Sequence, residues 1–210
     1  LITDAGDAAG MRGALIDAAF QSSLPGKRCL LDQPAVAETA RLLRRHLVSQ
    51  NLMTDDAVAI QAIAFDKMPE ANWKVPWHQD LMFPFAKPVT SPGFETPSIK
   101  DGIPFARPPL GILENLLAVR FHVDDCGAAN GPLRVSPGTH RLGIIPSPDV
   151  PTLVKRHGQV ECHAMEGQCL LMRPLLLHAS SQATEPNHRR VLHFVFHSGT
   201  PVAEPWAQSV

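Results

Sequence analysis

The stretch "AVAIQAIAFDK" (57–67) marks the point where the texture of this 210-residue chain changes. It is short, apolar and β-prone. Upstream, "AAGMRGALIDAAFQ" (8–21) and "PAVAETARLLRRHLVSQ" (34–50) carry alanine, leucine and arginine at helix-like intervals, the second opening on Pro34. Downstream, strand-like runs alternate with turns: "LLAVRFHV" (116–123), "PLRVSPGTH" (132–140), "GQVECHAM" (158–165), "GQCLLMRP" (167–174) and "RRVLHFVFH" (189–197). The turns "DDCGAANG", "SPGTHRLG" and "TEPNH" are rich in Gly, Pro, Asn and Asp. Helices first and then many short strands predict a mainly β protein, an antiparallel sandwich or barrel with helices packed on its outside. Residues 83–115, full of Pro, Gly and Phe, break this rhythm and predict a long loop without regular structure. Its aromatics, and its place just after a His–Asp pair, favour an active-site lid.

The length suits one domain over 1–210, with 1–55 as mostly helical support, 56–82 and 116–200 as strands, and 83–115 as an insertion. An apolar share of 44% and a charged share of 19% describe a globular chain, and a net charge of −1 gives no footprint for nucleic acid or an acidic membrane. No run approaches the roughly 18 apolar residues of a membrane span. Cys29, Cys126, Cys162 and Cys169 are widely spaced with no CxxC pair, which suits reduced thiols in a cytoplasm. The sequence leaves the oligomeric state open.

Within "VPWHQDLMF" (75–83), His78 and Asp80 stand two positions apart, so on an extended backbone their side chains share a face. A second histidine from another strand would complete a 2-His-1-carboxylate triad, which leaves open positions on Fe(II) for a bidentate co-substrate and dioxygen. His178, after "CLLMRPLLL", is the candidate, and Arg189 follows eleven residues later at the start of another strand. A 2-oxoacid chelated at the iron projects its distal carboxylate away, where a guanidinium can take it as a charge-assisted pair. Ser180 would share the face of His178 and could donate to the same carboxylate.

In order, "WHQD", "DDCGAANGPLRVSPGTHRLG" and "LLLHASSQATEPNHRRVLHF" resemble the phytanoyl-CoA dioxygenase family of Fe(II)/2-oxoglutarate oxygenases, over about Gln61 to Phe196. The resemblance implies a double-stranded β-helix (a cupin-like jelly roll) backed by helices. It implies iron on His78, Asp80 and His178, Arg189 at the 2-oxoglutarate distal carboxylate, and Ser180 at a position that also touches the co-substrate. Arg120 matches a position that packs against the co-substrate and is often tryptophan in relatives; here it could add a charge contact or address the substrate. The implied activity is hydroxylation of a small-molecule metabolite, consuming O2 and 2-oxoglutarate and releasing succinate and CO2. Halogenating relatives replace the carboxylate ligand, and this chain keeps Asp80. The rival readings are a cupin-like metal-binding protein without oxygenase activity and a non-catalytic binding protein on the same fold.

Gln61 shares a face with Ile63, where it would need a polar partner that the co-substrate or substrate can supply. Arg120 and His122 share a face of an apolar strand, and a buried arginine must be paired. His188, His193 and His197 read as solvent-facing or packing residues, and Arg190 as turned away from Arg189.

Overall fold

The computed structural model describes residues 1–21, 26–199 and 201–210. The alternating run after Ala57 becomes β3 (Val58–Lys67), paired antiparallel along its length with β13 (Arg189–His197). On the other edge of β13 lies β8 (Leu116–His122), with His193 opposite Arg120. With β1 (Ile2–Asp4), β2 (Gly26–Lys27) and β11 (Gln168–Met172) these form a six-stranded sheet in the order β1-β11-β8-β13-β3-β2. A four-stranded sheet, β10-β9-β12-β4, is built from β10 (Val160–Cys162), β9 (Leu133–Val135), β12 (His178–Ser180) and β4 (Val75–His78). The two sheets make the jelly roll expected from the sequence.

Period-two alternation sorts the large sheet into two faces. Outward go Leu192, Phe194 and Phe196 of β13, Ala62 and Ala64 of β3, and Val119 and Phe121 of β8. They form one core with Leu15 of α1 (Arg12–Ala19) and with Val36, Ala40, Leu43 and Leu47 of α2 (Pro34–Ser49). Those α2 positions trace one stripe of the helix, and Pro34 sits in its first turn, where no intrahelical N–H bond is lost. The helices thus cover the outside, as predicted. The inward face is different in kind: Gln61 and Ile63, Arg120, and Arg189, His193 and Val195 all open into a cavity between the sheets.

Three features depart from the sequence reading. Residues 83–115 are not a structureless loop. They hold a small sheet, β5-β7-β6, made of β5 (Phe83–Pro84), β6 (Glu95–Lys100) and β7 (Ile103–Arg107), followed by a one-turn helix, α3 (Leu110–Leu113). Asp101 and Gly102, at φ 52° and 78°, close a two-residue hairpin with Lys100 opposite Ile103; Asp-Gly is favoured there because both central residues need positive φ. Phe85 anchors this sheet, stacking on Trp206 at 4.8 Å and meeting Phe94 edge-on at 5.4 Å. The first third, though mostly helical, lends β1 and β2 to the large sheet. A further helix, α4 (Val150–His157), was not anticipated; its residues are at most half-buried and it ends at Gly158, φ 75°.

Asp124 locks the outer layer together. It accepts from the Arg190 backbone N–H at 2.9 Å, from Arg190 Nε and Nη2 at 2.8 Å each, and from Arg12 Nη2 of α1 at 3.1 Å. Arg190 is therefore turned away from Arg189, as the alternation requires. Burial alone would raise the Asp124 carboxyl, but the two arginines hold it below the usual range. Its stabilisation is therefore present above the unfolded carboxylate pKa and is lost as pH falls through the folded value. Asp124→Ala is expected to cost about 2–3 kcal/mol at neutral pH in urea unfolding. The cost should shrink in acid; an equal cost at both pH values would contradict the role of the ionised pair.

Candidate metal centre

His78 closes β4 and His178 opens β12, and the two stand directly opposite one another across the pair. Their rings lie 4.1 Å apart between centroids. Each Nδ1 sits 2.8 Å from a backbone carbonyl two residues upstream, Pro76 O for His78 and Leu176 O for His178. A carbonyl can only accept, so each Nδ1 carries the hydrogen and each Nε2 presents its lone pair. Both lone pairs face Asp80: His78 Nε2 is 3.5 Å from Oδ1 and His178 Nε2 is 3.5 Å from Oδ2. One ligand atom from each of the three residues lies within 4.8 Å of the others. Three acceptors turned on a common point repel unless a cation lies among them, and two imidazoles with one carboxylate suit a divalent transition metal.

The surrounding chain builds this geometry. Gln79 points away from the triad and is fully engaged: Nε2 donates to Gly143 O at 2.8 Å and Leu175 O at 2.6 Å, and Oε1 accepts from Ile145 N at 2.8 Å. With Asp80 N donating to Pro174 O at 2.9 Å, the segment bearing both ligands is pinned on each side. In "SPGT", Gly138 adopts φ 81° and turns Thr139 back, so that its Oγ1 accepts from Leu177 N at 3.0 Å, just before His178.

The electrostatics follow from burial. Burial alone would raise the Asp80 carboxyl, but His178, His78 and His193 hold it well below the usual carboxylate range. For His78, burial opposes protonation but Asp80 outweighs it and raises the imidazole. Burial lowers His178 to about 4.

The triad opens on a cavity of about 680 Å³, within the range of small-molecule sites. All the sequence-predicted residues line it: His78, Asp80, His178, Ser180, Arg189, Arg120 and Gln61. Asp80 is the one carboxylate among its described lining residues, against Arg28, Lys100, Arg107, Arg120 and Arg189. Arg189 is buried, donates from Nη1 to Gly131 O, and leaves Nε without a partner. Gly131 is at φ 61°, and a Cβ there would stand 2.7 Å from Ser181 O, so the turn beside Arg189 requires glycine. Ser180 still reaches the cavity although the register shifts between it and His178. His122 is buried with both ring nitrogens unpartnered, and burial with Arg120 lowers it to about 3.

Two residues of this region were misjudged or missed. His193 is neither solvent-facing nor mere packing. It is 4% exposed, lines the cavity, and places Nε2 3.8 Å from Asp80 Oδ2. His197 does pack, against Trp206, and His188 pairs with Asp66. Lys67, opposite Arg189, is buried; Nζ donates to Ser181 O and, at 3.4 Å, to Ser180 Oγ. Burial and then Arg189 lower its amine to about 8. Since Lys67 donates to Ser180 Oγ, that hydroxyl keeps its own hydrogen for another acceptor. Continuing the alternation from Gln61 and Ile63 to Lys67, and from Arg189 to His193, would have found both.

A family model described as phytanoyl-CoA dioxygenase matches residues 11–191. A search of curated proteins gave no match. Among solved structures, EctD from S. alaskensis with bound Fe is similar over 98% of this chain and 75% of its own, at 19% identity and a TM-score of 0.65. The same protein with 2-oxoglutarate and 5-hydroxyectoine covers 94% of this chain and 71% of its own, at 17% identity and 0.62. HygX from Streptomyces hygroscopicus with iron bound covers 94% and 81%, at 12% identity and 0.62. At such identities the likeness establishes the shared fold, and it is the sequence match over most of the length that settles descent: the chain belongs to the phytanoyl-CoA dioxygenase family.

Proposed function

We propose that the protein is an Fe(II)- and 2-oxoglutarate-dependent dioxygenase that oxidises a small organic molecule, most simply by hydroxylation. The reading rests on one observation: the His78, Asp80 and His178 acceptors converge in the same cavity that holds Arg189, a buried guanidinium without a carboxylate partner. Bound iron supplies the hard chemistry, the O2-driven decarboxylation of 2-oxoglutarate to succinate and CO2 with one oxygen atom passing to the substrate. Structures of the same fold support the assignment, since EctD was solved with 2-oxoglutarate and 5-hydroxyectoine, and HygX with nickel, 2-oxoglutarate and hygromycin B.

The chain's own part is holding and excluding. The Pro76 and Leu176 carbonyls keep both imidazoles in the ligating tautomer. Arg189, aimed by Gly131 O, takes the distal carboxylate of the co-substrate, and Ser180 donates its hydroxyl to the same group. Gln61, buried on the inner face of β3, offers an amide to co-substrate or substrate. The segment 82–107 lines the cavity with Met82, Phe83 and Phe105, and adds Thr96, Lys100 and Arg107 as polar contacts, which supports its role as the lid that excludes water and selects substrate.

His78→Ala and Asp80→Ala are each expected to lower Fe(II) affinity and the conversion of 2-oxoglutarate to succinate by at least about 100-fold. Metal titration and succinate assay check this, and activity surviving in both variants would reject the triad. Arg189→Met should leave metal binding intact while weakening 2-oxoglutarate by about 10- to 100-fold in calorimetry. An Fe(II)-loaded wild type that binds metal but no 2-oxoglutarate would point instead to a cupin-like metal protein.

A further inference from the structure

The alternation that turns Arg189 inward on β13 also turns His193 inward, and His193 stands opposite Arg120 of β8. The cavity therefore holds a second buried guanidinium. Arg120 is 7% exposed and has no carboxylate partner among the described residues. Its contacts are the His193 ring, with Nη1 3.3 Å from Nδ1, and the face of Phe65 at 5.8 Å, while its Nε has no partner. A buried guanidinium without an anion is costly, so this place calls for one.

His193 indicates which anion. Arginine can only donate, so Nδ1 accepts and the ring hydrogen sits on Nε2, 3.8 Å from Asp80 Oδ2. Arg120 is thus held beside His193, whose Nε2 also approaches the triad carboxylate. A 2-oxoacid that chelates through its keto oxygen and one carboxylate oxygen leaves the other oxygen of that carboxylate in need of a donor. Gln79, beside the triad, is already committed to backbone groups, whereas Arg120 is a guanidinium whose Nε has no partner among the described residues.

On the oxygenase reading above, we propose that Arg120, held in place by His193, receives the carboxylate that 2-oxoglutarate presents at the metal, so that the co-substrate is bound by one guanidinium at each end. Arg189 then discriminates for the distal carboxylate, and Arg120 serves any 2-oxoacid. His193 is a positioning residue that links Arg120 to the Asp80 carboxylate.

The test is calorimetric binding to the Ni(II)-loaded full chain of two probes, 2-oxoglutarate and 2-oxopentanoate, which lacks the distal carboxylate. Ni(II) affinity and melting temperature are recorded for each variant. Arg189→Met should weaken 2-oxoglutarate alone. Arg120→Gln should weaken both probes by a similar factor, on the order of 10- to 100-fold. Arg120→Lys, which keeps the charge, should recover part of the loss for both. His193→Phe should reproduce a weaker version of the Arg120→Gln pattern. If Arg120→Gln leaves both constants unchanged, Arg120 serves the substrate or the fold and the proposal is overturned. It is equally overturned if only 2-oxoglutarate is weakened, which would place Arg120 at the distal end. A Ni(II)-loaded wild type that binds neither probe would sink the oxygenase reading itself, a result distinct from either failure of the Arg120 proposal.

Discussion

Three lone-pair-bearing atoms, one each from His78, Asp80 and His178, converge on one point of the cavity. Two imidazole nitrogens and a carboxylate at such separations repel unless a cation or a proton relieves them. Backbone carbonyls fix both imidazoles so that rotation of the ring cannot relieve the strain without breaking a 2.8 Å hydrogen bond. Gln79 and Thr139, which touch no ligand atom, tie down the segments that carry the ligands. Much of the four-stranded sheet and its connections thus serves to keep an electrostatically unfavourable arrangement in place, which is what a preformed metal site demands.

The large sheet solves the complementary problem. Its outer face is apolar and stabilised by two helices, so the inner face is free to carry charge. Arg120, Lys67 and Arg189 lie there with no carboxylate partner, a composition that would be unfavourable in an ordinary sandwich core. The cavity is cationic away from the triad, although the chain as a whole carries a net charge of −1. A dianionic co-substrate would offset part of that positive charge, and it ties the two sheets' chemistry to one ligand.

What could be read from the sequence was what has a short period. The step of two from His78 to Asp80, and the turn of Arg190 away from Arg189, follow from the alternation of a strand, and the structure agrees with both. The same step carried further would have reached Lys67 and His193, but a lysine at a strand end and a histidine within a strand resemble surface residues until the partner strand is known. Register was the missing information: only the pairing of β8 with β13 shows that His193 meets Arg120. In residues 83–115 the Asp101–Gly102 hairpin signal was present, yet the prolines around it suggested a loop. The partner that makes this segment a sheet with a core, Trp206, lies about a hundred residues downstream. Helix α4 is short and has no buried residue, so no apolar stripe announced it.

The central claim is that the triad holds a metal with adjacent positions left open for a chelating 2-oxoacid. The most direct measurement is the visible spectrum of the Fe(II)-loaded protein, titrated with 2-oxoglutarate under strict exclusion of oxygen. The account predicts a new charge-transfer band that saturates at one equivalent and does not form with succinate. A protein that binds iron with full occupancy and shows no such band would contradict it.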